Sequence, residues 1–292
     1  MNGQEVITLL RPTHWAKNFF VFIPLFFNGE LFDGGKLAGA VVAFLAFSFA
    51  ASGIYCLNDI CDAEADRQHP VKCRRPVASG ALTKTEAAAW MTVLIAAAFL
   101  LSALMLPGAE AVGIIVLYVL LNIAYCFGLK RVAIVDVFVI ALGFVFRIMA
   151  GAFATGAPLS HWVVMIAFLL ALFLALAKRR DDVLIFEKTG VAMRRNTERL
   201  NRTFLDAALV IVATVLMVSY IMYTVSDSVI RRLGTEYLYV TSLFVLLGIL
   251  RYLQRTLVDN ESGSPTRILL HDRFVQFAIA GWLLVFGIII YS

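Results

Sequence analysis

Four oxygen-bearing side chains close an apolar run in this chain. They are Asn58, Asp59, Asp62 and Asp66 in Tyr55-Cys-Leu-Asn58-Asp59-Ile-Cys-Asp62-Ala-Glu-Ala-Asp66-Arg67. On a helix the aspartates are spaced i, i+3, i+7, and Asn58 lies four before Asp62, so all four share roughly one face. Three like charges there repel, and beside hydrocarbon their desolvation is costly. A divalent cation relieves both problems. Hard oxygen ligands suit Mg²⁺, which takes one or two carboxylates and fills its shell with water and substrate phosphates. Asp59, Asp62 and Asp66 are therefore the candidate metal ligands and catalytic residues. A merely solvated helix end would not line its acids along one face against an apolar span.

Two further ionisable residues stand inside an apolar segment, Asp136 and Arg147. Intramembrane charges are functional candidates by default. Eleven residues of helix separate the two by about 16 Å along the axis, too far for a direct pair. Asp136 lies one and a half turns from Lys130 and is a candidate for the substrate site or its surroundings, whereas Arg147 suits a site role or a structural pairing with another helix equally. Trp15 and His161 read as interfacial. Cys56, Cys61, Cys73 and Cys126 form no CxxC pair and no zinc spacing, and read as reduced thiols. Gly34-Gly35 and Gly151 carry no phosphate-loop spacing.

The elements that must position these residues are membrane helices. The chain has 292 residues, 61% hydrophobic and 15% charged, with mean hydropathy +0.86. Soluble domains carry about 25% charged residues, so an ordinary soluble enzyme and a disordered chain are excluded. The net charge of +5 reports membrane topology here and not nucleic acid. Apolar segments at roughly 15–31, 37–57, 85–106, 111–128, 132–155, 161–177, 204–225, 237–254 and 273–291 predict nine spans. Lys17, Asn18 and Pro24 interrupt the first. The expected fold class is all-α, a polytopic membrane protein with a single transmembrane domain over 1–292. The segment MNGQEVITLLRPTHWAKNFF lacks a signal-peptide pattern and suits a short interfacial helix before the first span.

Nine spans put all but four of the 25 Lys and Arg residues on one side; Lys36, Arg231 and Arg232 lie opposite and Arg147 inside. The positive-inside rule then sets the N-terminus in the cytoplasm and the C-terminus outside an inner (plasma) membrane. Two inner connections are long and charged, 58–84 and 178–202, and these polar loops are expected to form the site. They follow spans two and six, which hints at a duplicated four-helix unit.

Asn58-Asp59-x-x-Asp62-x-x-x-Asp66 resembles the NDxxDxxxD motif of the UbiA superfamily of intramembrane prenyltransferases. The resemblance covers nearly the whole chain and implies a nine-helix UbiA-like bundle that binds a Mg²⁺-diphosphate substrate between two polar loops. Further motifs are Leu10-Arg11-Pro12-x-x-Trp15-x-Lys17-Asn18, His69-Pro70-x-Lys72-x-Arg74-Arg75-Pro76-x-x-x-Gly80, Tyr125-x-x-Gly128-Leu129-Lys130 and the stretch Arg147 to Trp162. This set resembles the polyprenyl-phosphate phosphoribosyltransferase branch. Its members transfer 5-phosphoribose from phosphoribosyl diphosphate to a polyprenyl (decaprenyl-like) phosphate, releasing diphosphate, en route to lipid-linked arabinose. The resemblance implies Mg²⁺ as cofactor and phosphate-binding roles for Lys17, Lys72, Arg74, Arg75, Lys130 and Lys178, with Asn58, Tyr125 and Asp181 in the substrate site.

The second loop fits that branch by what it lacks. Aromatic prenyltransferases of the superfamily carry DxxxD after span six, whereas here Lys178-Arg179-Arg180-Asp181-Asp182-Val183-Leu184-Ile185 places Ile185 where an acid belongs. Phosphoribosyl diphosphate and a lipid phosphate bring more anionic oxygens than a prenyl diphosphate, which calls for Lys and Arg. The lipid phosphate is already ionised near neutral pH, so capture of the ribosyl oxocarbenium needs no strong base. Two rival readings are an aromatic prenyltransferase of the same superfamily and a secondary transporter of an organic anion. A transporter has no need of three aspartates on one face beside a KxRR loop. A homo-oligomer is compatible with the sequence.

Overall fold

The structure is a computed structural model that describes residues 3–68, 71–190, 199–261, 268 and 271–291. The motif residues His69 and Pro70, and Arg194, Arg195 and Arg267 of the basic loops, lie outside the described residues. Among the described residues every regular element is helical. The order is α1 Gly3–Leu10, a 3-10 helix Pro12–Phe22, α2 Ile23–Phe27, α3 Gly34–Arg67, a 3-10 turn Lys72–Arg74, α4 Pro76–Ser79, α5 Lys84–Met105 and α6 Ala109–Phe127. A 3-10 turn Leu129–Arg131 leads to α7 Val135–Thr155, α8 His161–Thr189, α9 Arg202–Thr224 and α10 Asp227–Leu233. A 3-10 turn Tyr237–Thr241, α11 Ser242–Leu257 and α12 Arg273–Tyr291 complete the chain.

Eight of these segments are long and apolar enough to cross a membrane: α3, α5 to α9, Tyr237–Leu257 and α12. The chain is an integral membrane protein. The first apolar segment differs from the rest, being a 3-10 helix followed by the short α2 and not one α-helix. Its polar residue is the reason. Asn18 is buried, donating to Ser48 Oγ at 2.8 Å and accepting from Arg147 Nε at 2.7 Å. At about 2.0 Å per 3-10 residue and 1.5 Å per α residue, the lengths of the two helices in Pro12–Phe27 sum to roughly 30 Å, comparable to the thickness of the hydrocarbon.

The chain groups into two compact units, residues 1–130 with 143–159, and 131–142 with 160–292. In the first unit α3 packs on α5 and α6 through small residues, with Ala46, Phe47, Ala50, Ala51, Ala98 and Ile115 all essentially inaccessible. Asp33 starts α3 by accepting from the N–H groups of Gly35 and Lys36, both at 3.0 Å, which satisfies two orphan donors. A capping box starts α5, where Thr83 and Glu86 exchange hydrogen bonds. Gly151 of α7 meets the 3-10 segment so closely that a Cβ there would lie 1.9 Å from the carbonyl oxygen of Val21. Packing, not phosphate binding, requires that glycine.

In the second unit α8 packs on α9, and α11 on α12 and α9. Trp282 Nε1 donates to Tyr220 Oη at 2.6 Å, and Tyr220 Oη meets Thr241 Oγ1 at 2.7 Å, tying α12 and α9 to the 3-10 turn before α11. Asp272 caps α12, accepting from the N–H groups of Phe274 at 3.0 Å and Val275 at 3.1 Å while Arg251 holds its other oxygen at 2.8 Å.

These backbone approaches separate two glycines. Gly151→Ala is expected to destabilise the detergent-solubilised protein by about 3 kcal/mol, because backbone would have to move. Gly113→Ala, in the interior of α6 with open space around it, should stabilise by up to about 1 kcal/mol through helix propensity. Thermal melts in one detergent compare the two; equal effects would refute the packing assignment.

Candidate functional site

The last three turns of α3 carry Asn58, Asp59, Asp62 and Asp66, and the structure faces each aspartate with a cation. Asp59 is 1% exposed and its Oδ1 receives Nη2 of Arg11 and, at 3.3 Å, Nη1 of Arg75. The same Arg75 nitrogen lies 2.7 Å from Oδ2 of the buried Asp66. Lys130 Nζ donates to Asp62 Oδ1 at 2.5 Å. Asn58 Oδ1 accepts the Cys126 thiol at 3.8 Å. Three carboxylates and three cations thus form one near-neutral cluster within the first unit.

Local structure explains how the cations arrive. Arg75 is extended (φ −65°, ψ 142°) between the 3-10 turn Lys72–Arg74 and α4, whose first residue is Pro76. Arg67 Nε donates to the Ala78 carbonyl at 3.2 Å, folding this segment back onto the end of α3. Lys130 sits in the turn after α6, which packs on α3. Arg11 joins α1 to the 3-10 helix in a left-handed conformation (φ 51°), with its guanidinium 5.2 Å from the Tyr55 ring centre. Trp15 Nε1 donates to Ser52 Oγ at 3.0 Å, and Ser52 Oγ donates to the Leu10 carbonyl at 2.8 Å. That bond pattern pins the segment bearing Arg11 against α3, so Trp15 is a structural tie and not only an interfacial anchor.

The donor chemistry fits a hard cation. Every candidate ligand atom is oxygen, and Asp59 Oδ2 is buried with no hydrogen-bond partner. Among the described residues, no group of three His, Cys, Asp or Glu side chains is drawn together as a ready-made cage. This matches Mg²⁺ sites that use one or two carboxylates and complete the shell with substrate oxygens and water.

The other expected residues are placed as follows. Lys17 and Arg74 are exposed, and Lys72 and Tyr125 are half-buried, all in the first unit. Arg147 is buried, donating to Asn18 and, at 2.6 Å, to the Gly143 carbonyl, with the rings of Phe47, Tyr118 and Phe144 within 5.4 Å. Neutral oxygens and aromatic faces hold this charge, not the carboxylate that an ion pair between helices would bring. In the second unit Asp136 is fully buried and accepts from Arg179 Nε at 2.9 Å, while Arg179 Nη1 reaches Asp182 at 2.5 Å. Arg180, also fully buried, binds Asp206 at 2.5 Å and Asn260 at 3.1 Å. Of the three basic residues at 178–180, only Lys178 is therefore exposed; Asp181 is half-buried. Arg11 is the residue that sequence reasoning passed over. It enters there only through its motif, and a separation of 48 residues from Asp59 signals no contact.

Comparison with known proteins adds to this geometry. The UbiA prenyltransferase family model matches residues 19–276. Decaprenyl-phosphate phosphoribosyltransferase of Corynebacterium glutamicum is 32% identical over 289 residues, covering 98% of this chain and 86% of that protein. The protein of the same name from Mycolicibacterium smegmatis is 32% identical over 302 residues, covering 98% of this chain and 92% of its own. Among solved structures, a UbiA homolog from Archaeoglobus fulgidus bound to GPP and Mg²⁺ matches with a TM-score of 0.74 over 99% of this chain and 100% of that one, at 18% identity. That likeness shows the fold.

Burial ranks the cluster's ion pairs. Arg75→Ala strips a partner from two buried carboxylates and is expected to destabilise by roughly 3 kcal/mol. Lys130→Ala exposes the more accessible Asp62 and should cost below about 1 kcal/mol. Melting curves without ligand check the order, and a reversed order would refute it.

Proposed function

The chain belongs to the UbiA prenyltransferase family, and from that membership we propose that it transfers 5-phosphoribose from phosphoribosyl diphosphate to a polyprenyl phosphate of decaprenyl type, releasing diphosphate for lipid-linked arabinose synthesis. The observation that carries this reading is the set of three carboxylates faced by three cations at the end of one membrane helix. Near-full-length similarity to two proteins named decaprenyl-phosphate phosphoribosyltransferase supports the choice of donor and acceptor. Ile185, in place of an acid, speaks against an aromatic prenyltransferase.

In this reading Asp59, Asp62 and Asp66, with Asn58, would share the holding of Mg²⁺, one or two carboxylates to an ion. Bound there, Mg²⁺ would neutralise the diphosphate and make it a better leaving group. Arg75 and Lys130 hold diphosphate oxygens and stabilise the charge that grows as the bond to ribose C1 breaks. Lys17, Lys72, Arg74 and Tyr125, all in the first unit, are assigned to substrate phosphates on the resemblance. Lys178 and Asp181 are assigned to substrate on the resemblance, and Asp136 orients Arg179, next to Lys178 in the chain, which also reaches Asp182. The acceptor phosphate is an anion at neutral pH and attacks C1 directly, so no side chain need remove its proton.

Under this proposal loops 58–84 and 178–202 lie in the cytoplasm of a bacterial cell, with the protein in the plasma membrane, a topology that their basic residues support. If Pro12–Phe27 also crosses, the C-terminus lies outside.

Purified protein given Mg²⁺, radiolabelled phosphoribosyl diphosphate and a polyprenyl phosphate is expected to form labelled lipid. Asp59→Asn or Asp62→Asn should leave less than about a tenth of that turnover, since each removes a carboxylate proposed to hold the metal that activates the leaving diphosphate. Prenyl transfer to an aromatic acid, with no labelled lipid from phosphoribosyl diphosphate, would overturn the reading.

A further inference from the structure

Resting on that reading, the geometry points to a second role for Arg11, Arg75 and Lys130. They are resident counter-ions of the metal ligands, exchanging carboxylate for phosphate when substrate enters, so that metal and diphosphate bind as one unit.

Arg75 carries the argument. Its Nη1 lies between Asp59 Oδ1, at 3.3 Å, and Asp66 Oδ2, at 2.7 Å. One nitrogen bridging two carboxylates occupies the position of a bridging cation. Arg11 shares the same Asp59 oxygen and Lys130 neutralises Asp62, while Asp59 Oδ2 stays unpartnered and buried. The acids are thus already compensated, and among the described residues they do not converge as a metal cage.

Charge balance then sets the order of events. A divalent cation entering alone must displace Arg75 from between the two acids and leave cations without counter-ions at the membrane boundary. Diphosphate entering alone draws those cations away and strips buried carboxylates. Each half-occupied state leaves buried charge uncompensated, which is strongly unfavourable. Together, the metal satisfies the acids and the diphosphate satisfies Arg11, Arg75 and Lys130. Binding of either must therefore strengthen the other by the same factor, and couplings of this kind run from about 5- to 150-fold. Arg11, outside the phosphate contacts expected from sequence, becomes one of the residues that meet the donor's diphosphate.

The test measures metal binding without turnover. Mn²⁺, standing in for Mg²⁺, is titrated by electron paramagnetic resonance against the full-length protein in detergent. Titrations run with and without inorganic diphosphate, at matched free Mn²⁺. Lys130→Gln is the informative variant, because the Lys130 and Asp62 side chains are 17% and 29% exposed and their loss should leave the fold intact. Arg131→Gln, removing an exposed charge from the residue next to Lys130 that has no assigned role in the site, controls for the general field. In wild type, diphosphate should tighten Mn²⁺ by about 30-fold. Lys130→Gln should tighten Mn²⁺ alone by about tenfold and shrink the enhancement, whereas Arg131→Gln should change Mn²⁺ alone by less than about twofold. If Lys130→Gln matches wild type or Arg131→Gln without diphosphate, ion exchange is wrong while the metal site stands. If no protein binds Mn²⁺ under either condition, the metal-site reading itself fails and takes the inference with it.

Discussion

Placing Asp59 near the end of a membrane helix, 1% exposed, is the constraint on which the rest of the first unit turns. A buried carboxylate without compensation is strongly unfavourable. Two arginines from different parts of the chain meet it, one before and one after α3 in sequence. Both must be delivered by ordered backbone. For Arg11 the delivery is the 3-10 segment, fastened to α3 by Trp15–Ser52 and Asn18–Ser48 and to α7 by the close approach of Val21 and Gly151. For Arg75 it is the fold-back of α4 onto α3, held by Arg67. The interior of the unit is thus arranged so that its acids are never left bare.

The same logic runs through other polar residues of the structure. Arg147 is charged and buried, yet its partners are an amide oxygen, a backbone carbonyl and three aromatic rings. Its Nε bond to Asn18 extends the Asn18–Ser48 tie, so this charge strengthens the fastening of the segment that carries Arg11. In the second unit, Asp136, Arg179 and Asp182 form a chain of charges with Asp136 and Arg179 buried, and the buried Arg180 is held by the half-exposed Asp206 and the exposed Asn260. Both sets anchor α8. Arg179 and Arg180 consequently do structural work where a basic loop facing substrate was expected, because the sequence pattern counts charges without revealing which face of the helix each occupies.

Much of the architecture was legible because hydropathy and helix spacing are local properties. Eight membrane helices follow directly from apolar length. The acidic face of α3 follows from the spacing of Asp59, Asp62 and Asp66. The first span was the exception, since Asn18 is polar by type and only its partners Ser48 and Arg147, far along the chain, explain its burial. The pairing of Arg11 with Asp59 is invisible for the same reason. Gly151 shows the converse: its type marks it as special, but only the position of Val21 says why.

The central claim is that the acid–cation cluster at the end of α3 receives the donor's diphosphate, and binding tests it without dependence on the lipid acceptor. The measurement is the shift in melting temperature caused by phosphoribosyl diphosphate with Mg²⁺, in wild type and in Asp62→Asn. At 100 times its dissociation constant a ligand adds about 2.7 kcal/mol to stability. Wild type should show a shift of that order, Asp62→Asn little or none, and farnesyl diphosphate a smaller shift than phosphoribosyl diphosphate in wild type. A full shift retained in Asp62→Asn would place the diphosphate elsewhere and contradict the assignment.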